Sequence, residues 1–249
     1  MRVRLPSPSA LLQRIDWRLV MNGAIALAVI AALVALWLNS ERFMPLRQVE
    51  AIGALNKVTP AQLQAVVAPL AAEGFLRVDV SAVRDQVQAM TWVRSAAVRR
   101  VWPDTLAIEI EEHKPLAVWI RGGLVDDQGK LFAGQASEVA ETLPVFNGIE
   151  TLSKTMVEQY RAIKPQLDAV ELRVTSIEVN ERRAWTVKLD NGIELVLGRE
   201  LKPEQITRFV KIYPQVLAPR LAEIARVDLR YTNGMAVQWK MYNEIKGSA

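Results

Sequence analysis

The sequence predicts an α+β protein in three parts. A single N-terminal transmembrane helix leads into a small strand-helix-helix-strand-strand domain. A mainly antiparallel β-sheet domain with helices on one face follows. Three observations carry this. Leu19 to Ser40 is a run of 22 residues without a charge. Residues 43–112 switch between strand-type and helix-type periodicity. Residues 113–240 hold three candidate hairpins, each turning on an Asn or Gln followed by Gly.

The apolar run comes first. At 1.5 Å per residue it makes a helix of roughly 33 Å, slightly more than a hydrocarbon core. Trp17 and Trp37 lie about 30 Å apart along it, where an aromatic belt places them. A buried core helix would show a polar face, and this run shows none. A cleaved signal would have a shorter apolar region and a small-x-small site. Leu36-Trp37-Leu38-Asn39-Ser40 offers no such site. Arg2, Arg4, Arg14 and Arg18 precede the run, and Arg42, Arg47 and Lys57 follow it. That bias sets the N-terminus in the cytoplasm and the rest outside. The expected divisions are residues 1–18 as cytoplasmic tail, 19–40 as span, 43–112 and 113–240 as outer domains, and 241–249 as C-terminal tail.

Composition narrows the chemistry. The 249 residues include no cysteine and one histidine, and the net charge is +4. The outer part is therefore held by packing without disulfides. Arginines are spread along the chain, a solvated mixed surface and not a nucleic-acid footprint.

In the first outer segment, Leu46, Val49, Ala51 and Gly53 read as a short strand and turn. Thr59-Pro60 reads as a helix start, with Leu63, Val66, Val67 and Leu70 on one face and Pro69 and Gly74 closing it. Phe75, Arg77 and Val78 read as extended. Ser81 is the expected cap of a second helix, with Val83, Val87 and Met90 on one face. Ala97 to Val101 reads as a strand, Trp102-Pro103-Asp104 as a turn. Leu106, Ile108 and Ile110 alternate with Ala107, Glu109 and Glu111 as a half-buried strand.

This order resembles a POTRA (polypeptide-transport-associated) domain. Trp92-Val93, Val98-Arg99-Arg100, Trp102-Pro103-Asp104-x-Leu106, Glu111 and Pro115-x-Ala117-x-Trp119 are similar in order and spacing to the FtsQ/DivIB family of bacterial cell division proteins.

The second segment yields hairpins from its own pattern. With Asp190-Asn191-Gly192 as a three-residue loop, Leu189 pairs with Ile193, Val187 with Leu195, Trp185 with Leu197 and Lys188 with Glu194. A two-residue loop would slip the register by one and flip the faces. Gly192 is then expected in the left-handed conformation. Thr232-Asn233-Gly234 by the same logic pairs Tyr231 with Met235, Leu229 with Val237, and Val227 with Trp239. Asp127-Gln128-Gly129 pairs Val125 with Leu131, Leu124 with Phe132, and Asp126 with Lys130. Each such pair contributes about 0.2–1 kcal/mol. Helices are expected from Ser153 to Leu167, with Met156, Tyr160, Ile163 and Leu167 inward, and from Pro203, with Ile206, Phe209, Val210 and Tyr213 inward. Pro165 and Pro214 are expected to bend or end them. Asn147-Gly148 marks a further turn. The stretches GLVDDQGKLF, LPVFNG, RRAWTVKLDNGIELVLGR, RFVKIYP and VDLRYTNGMAVQW resemble the β-domain of the same family.

No catalytic motif stands out. There is no H-E-x-x-H, S-x-x-K, Walker loop or G-x-G-x-x-G. His113, in EEHKP, reads as a solvated histidine between the two domains. Glu109 and Glu111 read as the wet face of a strand and not as paired catalytic carboxylates. No catalytic residue, cofactor, metal, nucleic acid or small-molecule substrate is expected. Ala24, Ala28 and Ala32 form a small-xxx-small stripe that would allow helix packing in a membrane.

The final strand, Met235 to Lys240, has no strand after it and is expected at a sheet edge. An extended partner could add a strand there. The family resemblance implies such a partner: FtsB, in complex with FtsL, held around Arg182, Arg230, Tyr231, Gly234 and Trp239. It implies a second docking face on the POTRA strand, set at Val98 and Arg100 by alternation, and further division partners such as FtsK, FtsW and FtsI. The function so implied is that of an inner-membrane scaffold linking early and late division proteins at the septum. Two rivals follow from the residues: a POTRA component of secretion or outer-membrane assembly, and a membrane-anchored cell-wall enzyme. The first normally carries a cleaved signal and a long series of transmembrane strands. The second needs a catalytic constellation.

Overall fold

The computed structural model describes residues 17–38, 45–72 and 74–240. The expectations for residues 1–16, for Asn39, Ser40 and Arg42, and for the tail at 241–249 lie outside them. Helix α1 runs Trp17–Leu38. It is the one described helix long and apolar enough to cross a membrane.

The chain divides into two compact units, with the boundary between Glu112 and His113. In the first, strand β1 (Gln48–Ile52) precedes α2 (Pro60–Ala71), α3 (Val80–Gln88), β2 (Val93–Val101) and β3 (Thr105–Glu112). The three strands lie in the order β1-β3-β2, with β1 parallel and β2 antiparallel to β3. Strand-helix-helix-strand-strand is the order the sequence predicts.

Local chemistry explains the helix ends. Thr59 caps α2 with Pro60 at the first turn, and Gln62 completes a capping box. Pro69 does not end this helix, which continues to Ala71. Asp79, not Ser81, caps α3: its carboxylate accepts from the amides of Ser81 and Ala82 at 2.8 and 3.1 Å. Asp and Ser are comparable caps, and here the aspartate two residues earlier takes the position. Phe75 to Val78 is a turn and not a strand. Gly74 starts it at φ +81°, and the Val78 amide donates to Gly74 O at 3.0 Å. Both Phe75 and Val78 are fully buried, so their apolar character reflects the core and not a pleat. Leu63, Val67, Val83 and Val87 from the helices complete that core with Leu106, Ile108 and Ile110 of β3. Glu112 secures the loop before α2, where its carboxylate accepts from the amides of Asn56, Lys57 and Val58 at 2.7–3.0 Å.

The second unit is built on β4 (Pro115–Trp119), β5 (Leu124–Asp126), β6 (Leu131–Phe132), β7 (Val145–Asn147), α4 (Ser153–Asp168), β8 (Val174–Val179), β9 (Trp185–Leu189), β10 (Glu194–Gly198), α5 (Pro203–Ile212), β11 (Ile224–Asp228) and β12 (Ala236–Trp239). Its nine strands lie in the order β12-β11-β10-β9-β8-β7-β4-β5-β6. Antiparallel pairs dominate, but β4–β7, β7–β8 and β10–β11 are parallel. A helix between two strands returns the chain to the end where it started. Helix α4 does so between β7 and β8, and α5 between β10 and β11. The sheet is thus not the simple meander that its hairpins suggest. Met156, Tyr160, Ile163 and Leu167 of α4 and Ile206 and Phe209 of α5 share one core with Val187, Leu195 and Val227 of the sheet.

Two of the three hairpins depart from their expected pairing. The Asp127-Gln128-Gly129 hairpin has the expected register, with Gly129 at φ +84°. The Asp190-Asn191-Gly192 hairpin pairs Lys188 with Glu194 and Val187 with Leu195 as expected, and Gly192 is left-handed at φ +84°. Beyond Val196 a register shift sets Trp185 opposite Gly198, not Leu197. Gly198 has φ +84°, a conformation suited to a bulge.

The Thr232-Asn233-Gly234 expectation fails in register. Val227 pairs with Val237 and Asp228 with Ala236, and Ile224, not Val227, faces Trp239. Gly234 has no positive φ, and the connection between β11 and β12 is longer than three residues. The cause lies on both sides of Leu229. Its amide donates to Val196 O at 2.8 Å, toward β10. The Asp228 carboxylate accepts from the Arg230 amide at 3.0 Å and turns the chain out of the sheet. The slip at Val227 is by two residues, which keeps Val227 and Val237 on one face; a further irregularity between Ile224 and Arg226 brings Ile224 opposite Trp239. Alternation alone could not detect the slip.

Candidate functional site

Strand β12 ends the sheet order, so one of its sides has no neighbouring strand among the described residues. Its residues are exposed or half-buried. This is the edge the sequence anticipates, one strand-length of main-chain donors and acceptors with no described strand beside it.

What surrounds the edge is set by α5. Gln205 is buried, and its Nε2 donates to Leu197 O of β10 and Leu229 O just past β11, at 3.1 and 3.0 Å. Two parallel strands are thereby joined at one end. One turn along α5, Arg208 Nη2 donates to Tyr231 O at 2.9 Å and fixes the segment leading to β12. Between these elements lies a hollow of about 700 Å³, lined by Arg182, Gly198, Arg199, Lys202, Arg208, Arg230 and Tyr231 among others. Glu200 and Glu204 also line it, but cations outnumber acids.

Three of the five residues assigned to the edge by resemblance meet here. Arg182 sits in the turn before β9, with its amide donating to Asn180 Oδ1 at 3.0 Å. Arg230 is exposed and lies against Asp228, with Nε 2.9 Å from Oδ1 and Nη2 2.5 Å from Oδ2. That guanidinium holds the Asp228 carboxyl below the usual carboxylate range. Its hydrogen bonds outweigh the opposing effect of desolvation. Tyr231 is 56 % exposed, a large aromatic surface beside the hollow.

Trp239 is elsewhere, at the C-terminal end of β12. Its ring is covered on one face by the Arg220 guanidinium, 4.1 Å from the centroid, and the Lys240 amide donates to Glu223 O at 2.7 Å. Gly234 lies in the connection before β12, with nothing within 4 Å of where a Cβ would stand. The residues thus form two groups flanking a bare edge. Arg199, Lys202, Arg208 and Arg220 belong to these surroundings, and sequence reasoning does not single them out. Arg208 follows buried Gln205 by three positions on α5, and that spacing could have pointed to it.

Val98 and Arg100 lie on one face of β2, as alternation predicts. They pair with Ile108 and Leu106, both fully buried, on the side that the helices cover, but Val98 is only half-buried and Arg100 is exposed. Arg100 Nη2 donates to Val78 O at 2.5 Å.

His113 differs from its expectation. It is buried, and its Nδ1 lies 2.7 Å from Oδ2 of Asp126, which is fully buried. The other oxygen of Asp126 accepts from the amides of Gln128 and Lys130 at 2.9 and 2.8 Å. The imidazole stacks on Phe132, centroids 4.3 Å apart. Both oxygens of Asp126 are used inside the fold, which marks a structural brace. Among the described residues no group of His, Asp and Glu is arranged to hold a metal ion.

Comparison with known proteins agrees with this layout. Residues 44–113 match the family model described as "POTRA domain, FtsQ-type", and residues 117–230 match "Cell division protein FtsQ/DivIB, C-terminal". The chain is 34 % identical to Cell division protein FtsQ of Xanthomonas campestris over 239 residues, 96 % of this chain and 84 % of that one. It is 35 % identical to the Burkholderia pseudomallei protein of the same name, covering 86 % and 88 %. Against that of Alcanivorax borkumensis it is 33 % identical, covering 96 % and 92 %. These relatives are named as cell division proteins and not as enzymes. With one described helix long and apolar enough to cross a membrane, a POTRA domain and this β-sheet domain, the chain is a single-pass member of the FtsQ/DivIB family of cell division proteins.

Proposed function

We propose that the protein is a non-catalytic divisome scaffold that captures FtsB, in complex with FtsL, by strand addition at β12. An extended segment of FtsB gains main-chain hydrogen bonds along the free side of the strand. Arg182, Arg230 and Tyr231 beside the hollow, Gly234 in the connection before the strand and Trp239 at its end select it. The observation that carries this reading is the open β12 edge with a mainly basic hollow beside it. Acidic side chains on the partner complement such a hollow.

In this reading residues 1–18 are the cytoplasmic tail and 19–40 cross the inner membrane. Residues 43–112 and 113–240 lie in the periplasm as POTRA and β-domain, followed by a tail at 241–249. The POTRA domain engages partners such as FtsK, FtsW and FtsI, with Val98 and Arg100 contributing through β2. The assembly acts at the septum and helps control septal peptidoglycan synthesis.

The test is capture of FtsB by the full chain in detergent. Tyr231→Glu with Trp239→Glu is expected to abolish co-purification while the variant stays folded by circular dichroism. Undiminished capture would refute the edge-strand mechanism.

A further inference from the structure

The end of the three-stranded sheet where the chain arrives from α1 carries surface that its own fold leaves unused. Strands β1 and β3 are parallel, so Gln48 and Thr105 begin side by side. Asp104 O accepts from the amides of Arg47 and Gln48 at 3.0 and 3.3 Å. The β2–β3 turn, Trp102 to Asp104, is therefore fastened to the start of β1. Arg47 follows Leu38 by nine positions, and nine residues reach at most about 32 Å. Whatever lies at this end of the sheet is kept within that distance of the membrane-side end of α1.

Two large apolar side chains project there. Trp102 is 65 % exposed and Leu76 is 42 % exposed. The indole is not loose: it stands edge-on to fully buried Phe75, with ring centroids 5.1 Å apart. The bond from Arg100 Nη2 to Val78 O ties the turn that bears Leu76 to the same end. Arg47, Arg77, Arg99 and Arg100 lie in the segments that build this end. The nearby acids are Asp79, engaged as the cap of α3, Asp104, 3.9 Å from Arg47, and Glu50, two positions into β1, against four arginines. The balance is positive.

We propose that this end of the domain rests on the bilayer that α1 spans, with Trp102 and Leu76 in the headgroup region and the arginines against anionic phospholipid. An indole suits that depth, since its ring is apolar and its N–H stays wet. Alone, one Trp and one Leu would bind a membrane weakly. Here α1 supplies the first anchor, and the short tether makes the second contact intramolecular. The contact sets the height and tilt of the small domain above the bilayer. A second copy of the chain is a poor occupant, because arginines would face arginines.

The chain has no cysteine, so one introduced thiol can be labelled uniquely. The full chain carrying Leu76→Cys, labelled with an environment-sensitive nitrobenzoxadiazole probe, keeps Trp102 in place. In nanodiscs of phosphatidylcholine and phosphatidylglycerol with headgroup-nitroxide lipid, its emission is expected to fall about twofold relative to nitroxide-free discs. A probe at Glu141→Cys, exposed in the other unit, is expected to be unaffected. Adding Trp102→Ser to the Leu76→Cys chain is expected to restore emission with an unchanged circular dichroism spectrum. Equal quenching at both probe positions overturns the proposal. So does a probe at 76 that is dry yet unquenched, since a protein would then cover it. Quenching that is as strong in phosphatidylcholine alone removes the role given to the arginines.

Discussion

At one edge of the nine-stranded sheet, β6 is two residues long and fixed on several sides; at the other, β12 is four residues long and largely bare. The β6 edge is braced by Asp126, whose two oxygens serve His113 and two amides, and by the stack of His113 on Phe132. Gly129 packs so closely that a Cβ would stand 2.4 Å from Lys154 Cα. The Ser153 hydroxyl donates to Gly129 O at 2.6 Å, joining the hairpin to α4. Among the described residues the β12 edge is held more sparsely, by Arg208 on Tyr231 O and the Lys240 amide on Glu223 O. Its loop glycine, Gly234, faces open space, and the Trp239 ring carries the Arg220 guanidinium on one face. A short, braced edge offers little for a further strand to pair with, while a longer, bare one offers a template. The contrast sets a self-contained end of the sheet against one whose outer side has no strand beside it among the described residues.

The contrast can be broken most sharply at the braced end. Asp126→Ala would leave His113 and two backbone amides without their buried acceptor. A loss of about 3 kcal/mol is expected, measured as a shift in the urea unfolding of the C-terminal unit, with FtsB capture by β12 retained in the fraction that folds. A shift under about 0.5 kcal/mol would mean that the pair is not a brace.

The two glycines sharpen it next. Gly129→Ala meets both a positive φ and the Lys154 backbone, and about 2 kcal/mol of destabilisation is expected. Gly234→Ala meets neither, and its stability in the same urea measurement should match the parent within about 0.5 kcal/mol. Equal effects at the two positions would erase the distinction between the edges.

The smallest effect is acid sensitivity near β12. The Arg230 guanidinium holds the folded-state pKa of Asp228 below that of the unfolded chain. Its contribution is therefore present above the ordinary carboxylate value of about 3.9 and is lost as the pH falls through the lower folded value. Hydrogen exchange at the Arg230 amide should accelerate in that range once corrected for intrinsic rates. Asp228→Asn should abolish the pH dependence; a variant that keeps it would point to another group.

Local features are plain along the chain and distant ones obscure. The membrane span, the Thr59 cap, the inward faces of α4 and α5, and the inner pairs of two hairpins follow from periodicity and turn chemistry, which act over a few residues. The outer pairing of Trp185 depends on the conformation at Gly198, and the register at β12 depends on Leu229 reaching across to Val196. Neither interaction is visible along the chain. The two-residue slip at Val227 also preserves facial alternation, so the pattern could not report it. His113 illustrates the same limit: its flanking charges suggest solvent, but its partner is thirteen positions away in the next hairpin. For the candidate site, family resemblance points to Arg182, Arg230 and Tyr231. Their convergence with Arg199, Lys202 and Arg208 on one hollow emerges only when α5 folds over the end of β10.

The bare side of β12 has a further consequence. Backbone amides and carbonyls are the same in every extended chain, so a free strand is by itself an indiscriminate template. A second copy of this protein, or any unfolded segment nearby, could offer the same row of hydrogen bonds. Ala236, Val237, Gln238 and Trp239 carry no charge with which to repel one. Selectivity must then reside in side chains at the two ends of the strand and not in its backbone: the mainly cationic hollow near one end and the arginine-covered indole of Trp239 at the other.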